Sequence, residues 1–472
     1  MQIEREERRF RKTVRISIAE GIFGQIFNSL SGPGSAFVTK FAIMLHATPL
    51  QFGILAAIGQ ISLLFQPLGA MITKRRDRRK GVVLKLLFAG RGITIFYGIL
   101  PLIFVTGHAI EALLLLSLFS VSLAAVANNA WIAWISDMIP VGMRGRFFSL
   151  RSRYLMLTAI AVAYAFSLFI DRFTAADNTV WLGSFFVPDN LSYGFAIIFS
   201  AAAAAGIAGL AVLARQPEKM KEIEEETLSE MFITPMKDGN FRRFLIYGCW
   251  WMFAVGIGAP FWQPFMMQKL HMSLFEVQIY SSINIISSLS VLGPWGRFID
   301  THGNKTAMRL IILLGGFNPM VWLFVSGQQH FIIYLEAITS GIMWGGAGLV
   351  GTNFVLSIAP PKREQVYAGV SGAFSGIAMM TTMLLSGAFL PDPFDIKGVR
   401  LEPEQVLFAL TGLARWSALI PLSWIHEPKS RPMSEVLSSF LRGIKPKIMK
   451  YWGPSGPEAK NEYNRSEPKI FL

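Results

Sequence analysis

The chain has 472 residues, of which 52% are from AVILMFWYC and only 16% are charged, with 38 Phe, 12 Trp, 21 Met and a formal net charge of +14. A soluble chain carries about 25% charged residues, disorder requires low hydrophobicity, and the single cysteine, Cys249, cannot build a disulfide scaffold. Those three classes are excluded, and an integral membrane protein remains.

Roughly 20 apolar residues cross a bilayer core as a helix. In chain order the nearly charge-free stretches are Val14–Leu45, Leu50–Thr73, Gly81–Val105, Ala109–Ser136, Leu150–Ile170, Leu191–Ala214, Phe244–Gln268, Leu274–Ile299, Ala307–Ser326, Phe331–Ile358, Tyr367–Leu390 and Val406–Ile425. Their length excludes strands, and a lipid-exposed backbone must bond within itself, so an all-α membrane protein of 12 transmembrane helices is predicted. The first stretch is too long for a signal peptide and lacks a small-residue cleavage site.

Twelve crossings put both ends of the chain on one side. Most of the 44 Lys and Arg fall on that side, in Arg5–Arg15, Lys74–Lys80, Arg144–Arg153, Arg215–Arg243, Arg297–Arg309, Lys362–Arg363 and the segment after His426. The other side holds Lys40, Arg172, Lys269, Lys397 and Arg400, and Lys85, Arg91 and Arg415 lie inside spans. By the positive-inside rule both termini are cytoplasmic, in a multi-pass protein of the cytoplasmic (inner) membrane. The net charge is then topology, and no nucleic-acid partner is needed to explain it.

The longest polar connection, with the acidic run Glu222–Glu226, divides the spans six and six. The expected organisation is an N-terminal six-helix bundle over 1–215, a cytoplasmic linker over 216–243, a C-terminal bundle over 244–426 and a basic tail over 427–472. In the tail, Phe440, Leu441, Ile444, Ile448 and Trp452 alternate with Arg442, Lys445, Lys447 and Lys450. That pattern fits either a helix lying on an anionic leaflet or a disordered basic segment.

The halves repeat. Gly69-Ala-Met-Ile-Thr-Lys-Arg-Arg-Asp-Arg-Arg-Lys80 follows the second span, and Gly296-Arg-Phe-Ile-Asp300-Thr-His-Gly303-Asn-Lys305 follows the eighth. Asp137-Met-Ile-Pro140-Val-Gly-Met-Arg144-Gly-Arg146 follows the fourth, and Ala359-Pro-Pro361-Lys-Arg363-Glu364 follows the tenth. Parallel six-span repeats mark one large class of transporters.

On these residues the chain resembles the major facilitator superfamily over nearly its whole length. Gly296-x-x-x-Asp300-x-x-Gly303-Asn-Lys305 matches the signature loop, and Asp137 with Arg144 and Arg146 matches the loop after the fourth span. The first-half loop departs, with Thr73 where the acid is expected. Phe253-Ala-Val-Gly-Ile-Gly-Ala-Pro260-Phe and Trp344-Gly-Gly-Ala-Gly-Leu-Val-Gly-Thr-Asn353 look like bacterial members of unassigned substrate. The resemblance implies a conformational latch of Gly296, Arg297, Asp300, Gly303, Lys305, Asp137, Arg144 and Arg146. A carboxylate there can accept from the amides at a neighbouring helix start and pair with arginines. The alternative is that these residues only cap helices and set topology.

A charge at mid-bilayer costs about 2.5–3.5 kcal/mol on insertion scales, which makes it a functional candidate. Arg91 and Arg415 lie deep. Glu20 lies nearer the cytoplasmic boundary, and Glu336 nearer the outer one. Lys85 can snorkel to the interface. The resemblance implies that spans 1, 4, 7 and 10 line the cavity and that Arg91 and Arg415 sit on supporting spans. Arg91 then either pairs structurally with Glu20 or backbone carbonyls, or forms a proton-coupling pair with Glu20. Arg415 is expected to pack on carbonyls or snorkel.

The cavity-lining spans carry amides and large rings: Asn28 beside the break Gly32-Pro33-Gly34; Asn128, Asn129, Trp131 and Trp134; Trp250, Trp251, Trp262 and Gln263 around Pro260; Trp344 and Asn353. Rings stack and amides orient, which suits a partly apolar organic ligand. The substrate-cavity candidates are Asn28, Asn128, Asn129, Trp262, Gln263, Trp344 and Asn353. Tryptophan in a membrane helix also serves packing or the interface.

There is no Gly-x-x-x-x-Gly-Lys-[Ser/Thr] loop for ATP, no His-x-x-x-His pair, no Gly-x-Ser-x-Gly elbow and no credible metal set. No enzyme, cofactor or metal is expected. The reading is a secondary transporter moving a small organic solute by alternating access, with protons as an open coupling partner and a monomer as the expected state. The alternative is a non-transporting relative used in assembly, lipid or pigment handling, or sensing.

Overall fold

The computed structural model describes residues 2–65, 79–104, 107–139, 143–174, 185–218, 235–327, 329–360, 363–396, 399–433, 435, 436 and 438. The expectations for Thr73, the acidic run Glu222–Glu226 and the tail 439–472 lie outside these residues, as do the side chains of Asp137 and Arg144.

Helices follow one another as rods crossing the molecule in alternate directions. The first rod is α1 (Gln2–Ser31) and α2 (Ala36–Met44), and the second is α3 (Pro49–Leu63). The third is α4 (Lys80–Ile93) continued by a 3-10 turn into α5 (Leu100–Ile103). Then come α6 (Ala109–Met138), α7 (Arg144–Asp171) and α8 (Leu191–Leu213). The seventh rod is α9 (Gly239–Gly258) with α10 (Trp262–Gln268), and the eighth is α11 (Leu274–Ser290) with α12 (Leu292–His302). The last four are α13 (Asn304–Val321), α14 (Ile332–Ile358), α15 (Glu364–Ala388), and α16 (Pro403–Ser417) with α17 (Leu419–Ser423). Among the described residues nine helices are long and apolar enough to cross a membrane, and the first, second and eighth rods are broken or shorter. Large apolar side chains such as Phe88, Phe119, Leu157, Phe317 and Phe389 point outward along the rods, as lipid-facing surfaces require.

Local chemistry sets the breaks. α1 stops where Gly32-Pro33-Gly34 interrupts the backbone ladder, and Ser35 restarts it by accepting from the Val38 amide at 3.2 Å. Thr48 with Gln51 and Ser273 with Glu276 form reciprocal capping boxes at the starts of α3 and α11. One element is not anticipated by the sequence reading. Strands β1 (Phe394–Ile396) and β2 (Val399–Leu401) pair antiparallel between the eleventh and twelfth rods, Asp395 opposite Arg400.

Two glutamates brace the halves in the same way. Glu218, just past α8, accepts from the Arg79 and Lys80 amides at the start of α4, and Lys80 Nζ donates to the Gln216 carbonyl at 3.1 Å. Glu427, just past α17, accepts from the Asn304 and Lys305 amides at 3.0 and 2.7 Å, and Lys305 Nζ donates to the Ile425 carbonyl at 2.7 Å. Each carboxylate meets the positive end of a helix. Gly303 makes the second turn possible. Its φ is +86°, and a Cβ there would lie 2.9 Å from Ser430 Cα.

The core is divided unevenly. One cluster joins both halves, packing Phe37, Phe41 and Phe199 with Phe265, Met266, Trp322 and Phe408, at the end of the molecule away from the described chain ends. At the other end the clusters are separate: Val83, Trp134, Ile135 and Leu213 in the first half, and Phe241, Trp295, Ile311 and Phe354 in the second. Two crossings carry the seam, α3 against α15 and α7 against α11. In the first, Gly53 lies so near α15 that a Cβ would sit 2.6 Å from the Met383 carbonyl. In the second, Asp171 at the end of α7 accepts from the Leu274 and Phe275 amides of α11 at 2.9 and 2.8 Å.

Candidate functional site

Two polar cavities lie inside the bundle. The first, about 180 Å³, is lined by Glu20, Gln25 and Asn28 of the first rod, Arg91 of the third, Asn128 and Trp131 of the fourth and Arg151 of the fifth. Glu20, only 4% exposed, pairs with Arg91 at 2.9 Å and stands 3.6 Å from Arg151. Arg91 also donates to the Gly206 carbonyl at 2.8 Å, and its guanidinium lies 5.7 Å from the Phe27 ring centre. Gly206 gives that side chain room, since a Cβ there would lie 3.0 Å from Arg91 Cδ and from the Phe27 ring. Arg151 lies over Trp131 at 4.7 Å and donates through Nε to the Ser17 carbonyl at 3.2 Å.

The second cavity, about 420 Å³, lies in the other half. Trp262, Gln263, Tyr280, Asn318, Trp322, Glu336, Trp344 and Arg415 contribute to its walls. Trp262 stacks on Phe408 with ring centres 3.8 Å apart and tilts against Trp322 at 5.0 Å. Glu336 accepts from the Tyr280 hydroxyl at 2.8 Å. Arg415 donates to the Gly315 carbonyl at 3.0 Å, with Trp344 and Trp251 rings at 5.6 and 5.9 Å. These contacts offset the desolvation of a buried cation. The first rod touches residues of both cavities. Asn28 lines one, while Gln263, which lines the other, accepts from Thr39 at 2.8 Å and donates to the Gly34 carbonyl at 3.4 Å.

Of the sequence candidates, Glu20, Arg91, Asn28 and Asn128 come together in the first cavity, and Trp262, Gln263 and Trp344 in the second. Asn129 and Asn353 line neither. Arg91 on α4 and Arg415 on α16 each reach a cavity wall, because an arginine spans the gap from an outer helix to the cavity. Glu336, in the first turns of α14, is buried with Tyr280. Arg151, counted with the basic loop, lies about two turns into α7 because that helix already starts at Arg144. Trp134 is a packing residue, 2% exposed and bonded to the Pro217 carbonyl. Tyr280 and Asn318 were not singled out in the sequence, since a lone polar residue in an apolar run carries no periodic signal.

Within α12, Arg297 and Asp300 are exposed, and Asp300 has no ion pair among the described residues. Lys305 belongs to the Glu427 brace, Gly303 forms its turn, and Gly296 has open space around it. Arg146 is exposed at the start of α7.

With this architecture in place, the comparisons with known proteins are direct. The family model described as Major Facilitator Superfamily matches residues 21–382 and 243–436, and the chain belongs to that superfamily, as a multi-pass membrane protein. No curated protein matches the sequence. The nucleoside transporter NupG superposes with a TM-score of 0.64 at 13% identity, covering 88% of this chain and 98% of NupG. A D-xylose-proton symporter gives 0.61 at 14% identity over 88% of this chain and 98% of its own. The xylose transporter XylE from E. coli, in an inward-open conformation, gives 0.62 at 15% identity over 91% and 99%. At these identities the likeness is one of fold.

Proposed function

We propose that the chain is a secondary transporter that carries a small organic solute across the cytoplasmic membrane by alternating access. The observation that carries this reading is the pairing of two polar cavities, one per half, with a core shared at one end only. Binding between the halves and separating them at alternate ends is the mechanism such an arrangement serves.

The excess of Lys and Arg on the side of the chain ends supports cytoplasmic termini in the inner membrane. The joined end is then the outer one, and the conformation is inward-open, the state named for one XylE structure. The halves are 1–215 and 244–426, joined by 216–243, with the tail 427–472 in the cytoplasm. Asn28 and Asn128 in one cavity, and Trp262, Gln263 and Trp344 in the other, are the proposed solute contacts, with Asn129 and Asn353 further along the same rods. Glu20 with Arg91 is the proposed coupling pair. The latch of Gly296, Arg297, Asp300, Gly303, Lys305, Asp137, Arg144 and Arg146 closes the cytoplasmic end in the opposite state, which agrees with Asp300 having no ion pair among the described residues. The solute leaves chemically unchanged, so no catalytic group or cofactor enters, and a monomer in the bilayer suffices.

The test is uptake into proteoliposomes from a mixed pool of metabolites, read by mass spectrometry with and without an imposed pH gradient. Protein-dependent accumulation of one compound supports transport, and loss of its gradient dependence in Glu20→Gln assigns coupling. A purified protein that binds a solute without moving it across the vesicle wall favours the non-transporting alternative.

A further inference from the structure

The first cavity carries an uncompensated charge. Among the described residues that line it, the ionisable groups are one carboxylate, Glu20, and two guanidiniums, Arg91 and Arg151. Arg91 is held at both Nη atoms, by Glu20 and the Gly206 carbonyl. Arg151 is not: Nε meets the Ser17 carbonyl, one Nη lies 3.6 Å from Glu20, and Nη1 makes no hydrogen bond among the described residues. A second donor on the same wall is also unspent. Trp131 Nε1 is buried without an acceptor among the described residues, on the residue whose ring lies under Arg151. Asn28 and Asn128 are exposed to the same space. Donors exceed acceptors, and positive charge exceeds negative, on this wall of the cavity. A buried N–H without an acceptor and a partly buried cation without a full counter-charge both favour a partner of opposite character.

We propose that this cavity is an anion subsite, and that the solute is an amphipathic organic anion. Its carboxylate or phosphate-type group is held by Arg151 with Trp131 and Asn128, and its ring or apolar body lies toward Trp262 and Trp344 in the second cavity. A guanidinium stacked on an indole presents a fixed edge to an oxyanion, and a charge-assisted contact there is stronger than a neutral one. The volumes fit the division. About 180 Å³ is small for a whole ligand but ample for a head group, whereas about 420 Å³ walled by rings takes an aromatic body. The Glu20 carboxylate sets the limit of one excess charge, so a monoanion balances the site. The proposal rests on the transport reading above.

The test uses the full chain in detergent and matched pairs of probes at constant ionic strength: indole-3-acetate against indole-3-acetamide, benzoate against benzamide, and phenyl phosphate against phenol. Titration calorimetry should show at least one acid binding roughly tenfold or more tighter than its neutral partner, with the preference lost in Arg151→Gln and kept in part in Arg151→Lys. Preference for the carboxylates or for phenyl phosphate identifies which head group is taken. Asn128→Leu, which leaves both arginines in place, should weaken acid binding without abolishing the preference, and it serves if Arg151→Gln does not fold. Equal binding of acids and neutral partners, an undiminished preference in Arg151→Gln, or no binding of any acid would overturn the subsite. Counterflow of a bound acid in proteoliposomes separates the two readings. Binding without exchange removes transport and leaves the subsite, whereas exchange of neutral solutes alone removes the subsite and leaves transport.

Discussion

Glu218 and Glu427 occupy equivalent places in the two halves. Each follows the sixth rod of its half and holds the amides that open the third, and each is accompanied by a lysine, Lys80 or Lys305, that reaches back to a carbonyl beside the glutamate. The braces belong to separate halves. Glu218→Ala and Glu427→Ala should therefore each lower stability by about 1–2 kcal/mol, as loss of a charged cap does. The double variant should equal the sum within about 0.5 kcal/mol. Unfolding in detergent measures all three, and a large departure from additivity would contradict the independence of the braces.

Gly53 should act as a wedge point. A methyl group there meets the Met383 carbonyl at 2.6 Å, on a backbone that cannot step aside cheaply. Gly53→Ala should push α3 from α15 at the joined end and raise the population open on that side. Spin labels at His46 and Gln329, exposed beyond that end, should report a longer distance in the variant.

Asp171 is the polar clasp of the same seam. Its two oxygens take the Leu274 and Phe275 amides of the opposite half. Hydrogen bonds to a charged group contribute about 1.5–3 kcal/mol, so Asp171→Ala should shift the balance between the access states by roughly 10- to 100-fold. The same label pair should lengthen. An unchanged distance distribution would remove Asp171 from the gate.

The Glu20–Arg91 pair predicts a non-additive cycle. Arg91→Met removes the nearer cation from a buried carboxylate and should cost about 3–5 kcal/mol. Adding Glu20→Gln removes the stranded charge, so the double variant should recover part of that loss. A double variant as unstable as the sum of the singles would mean that Arg91 acts through Gly206 alone.

The sequence made some of this plain and hid the rest for physical reasons. Spans were legible because desolvation acts on every residue of a lipid-facing helix, and the break at Gly32-Pro33-Gly34 was legible because the ladder cannot continue through it. The turn at Gly303 announced itself by its glycine. The paired glutamates did not, because the same brace is written Gln216-Pro217-Glu218 in one half and His426-Glu427-Pro428 in the other. Nor did Asp171, whose partners lie far along the chain. Arg151 was not legible as a cavity residue, because topology counts charges by loop, whereas a long side chain on the first turns of a helix can reach inward. Asn28 and Asn128 fell into one cavity because both rods face it, and Asn129 missed it because one residue turns a helix by about 100°.

The repeated brace bears on how the chain could be divided. Each half carries its own means of fastening its last rod, and the join between Glu218 and Pro235 supplies none of those bonds. Two polypeptides, one ending after the first brace and one beginning before α9, should therefore each fold as a lobe. Co-expressed in one membrane, they should find each other through the Asp171 clasp and the α3–α15 crossing. Covalent continuity would then matter for making equal numbers of the lobes rather than for their shape.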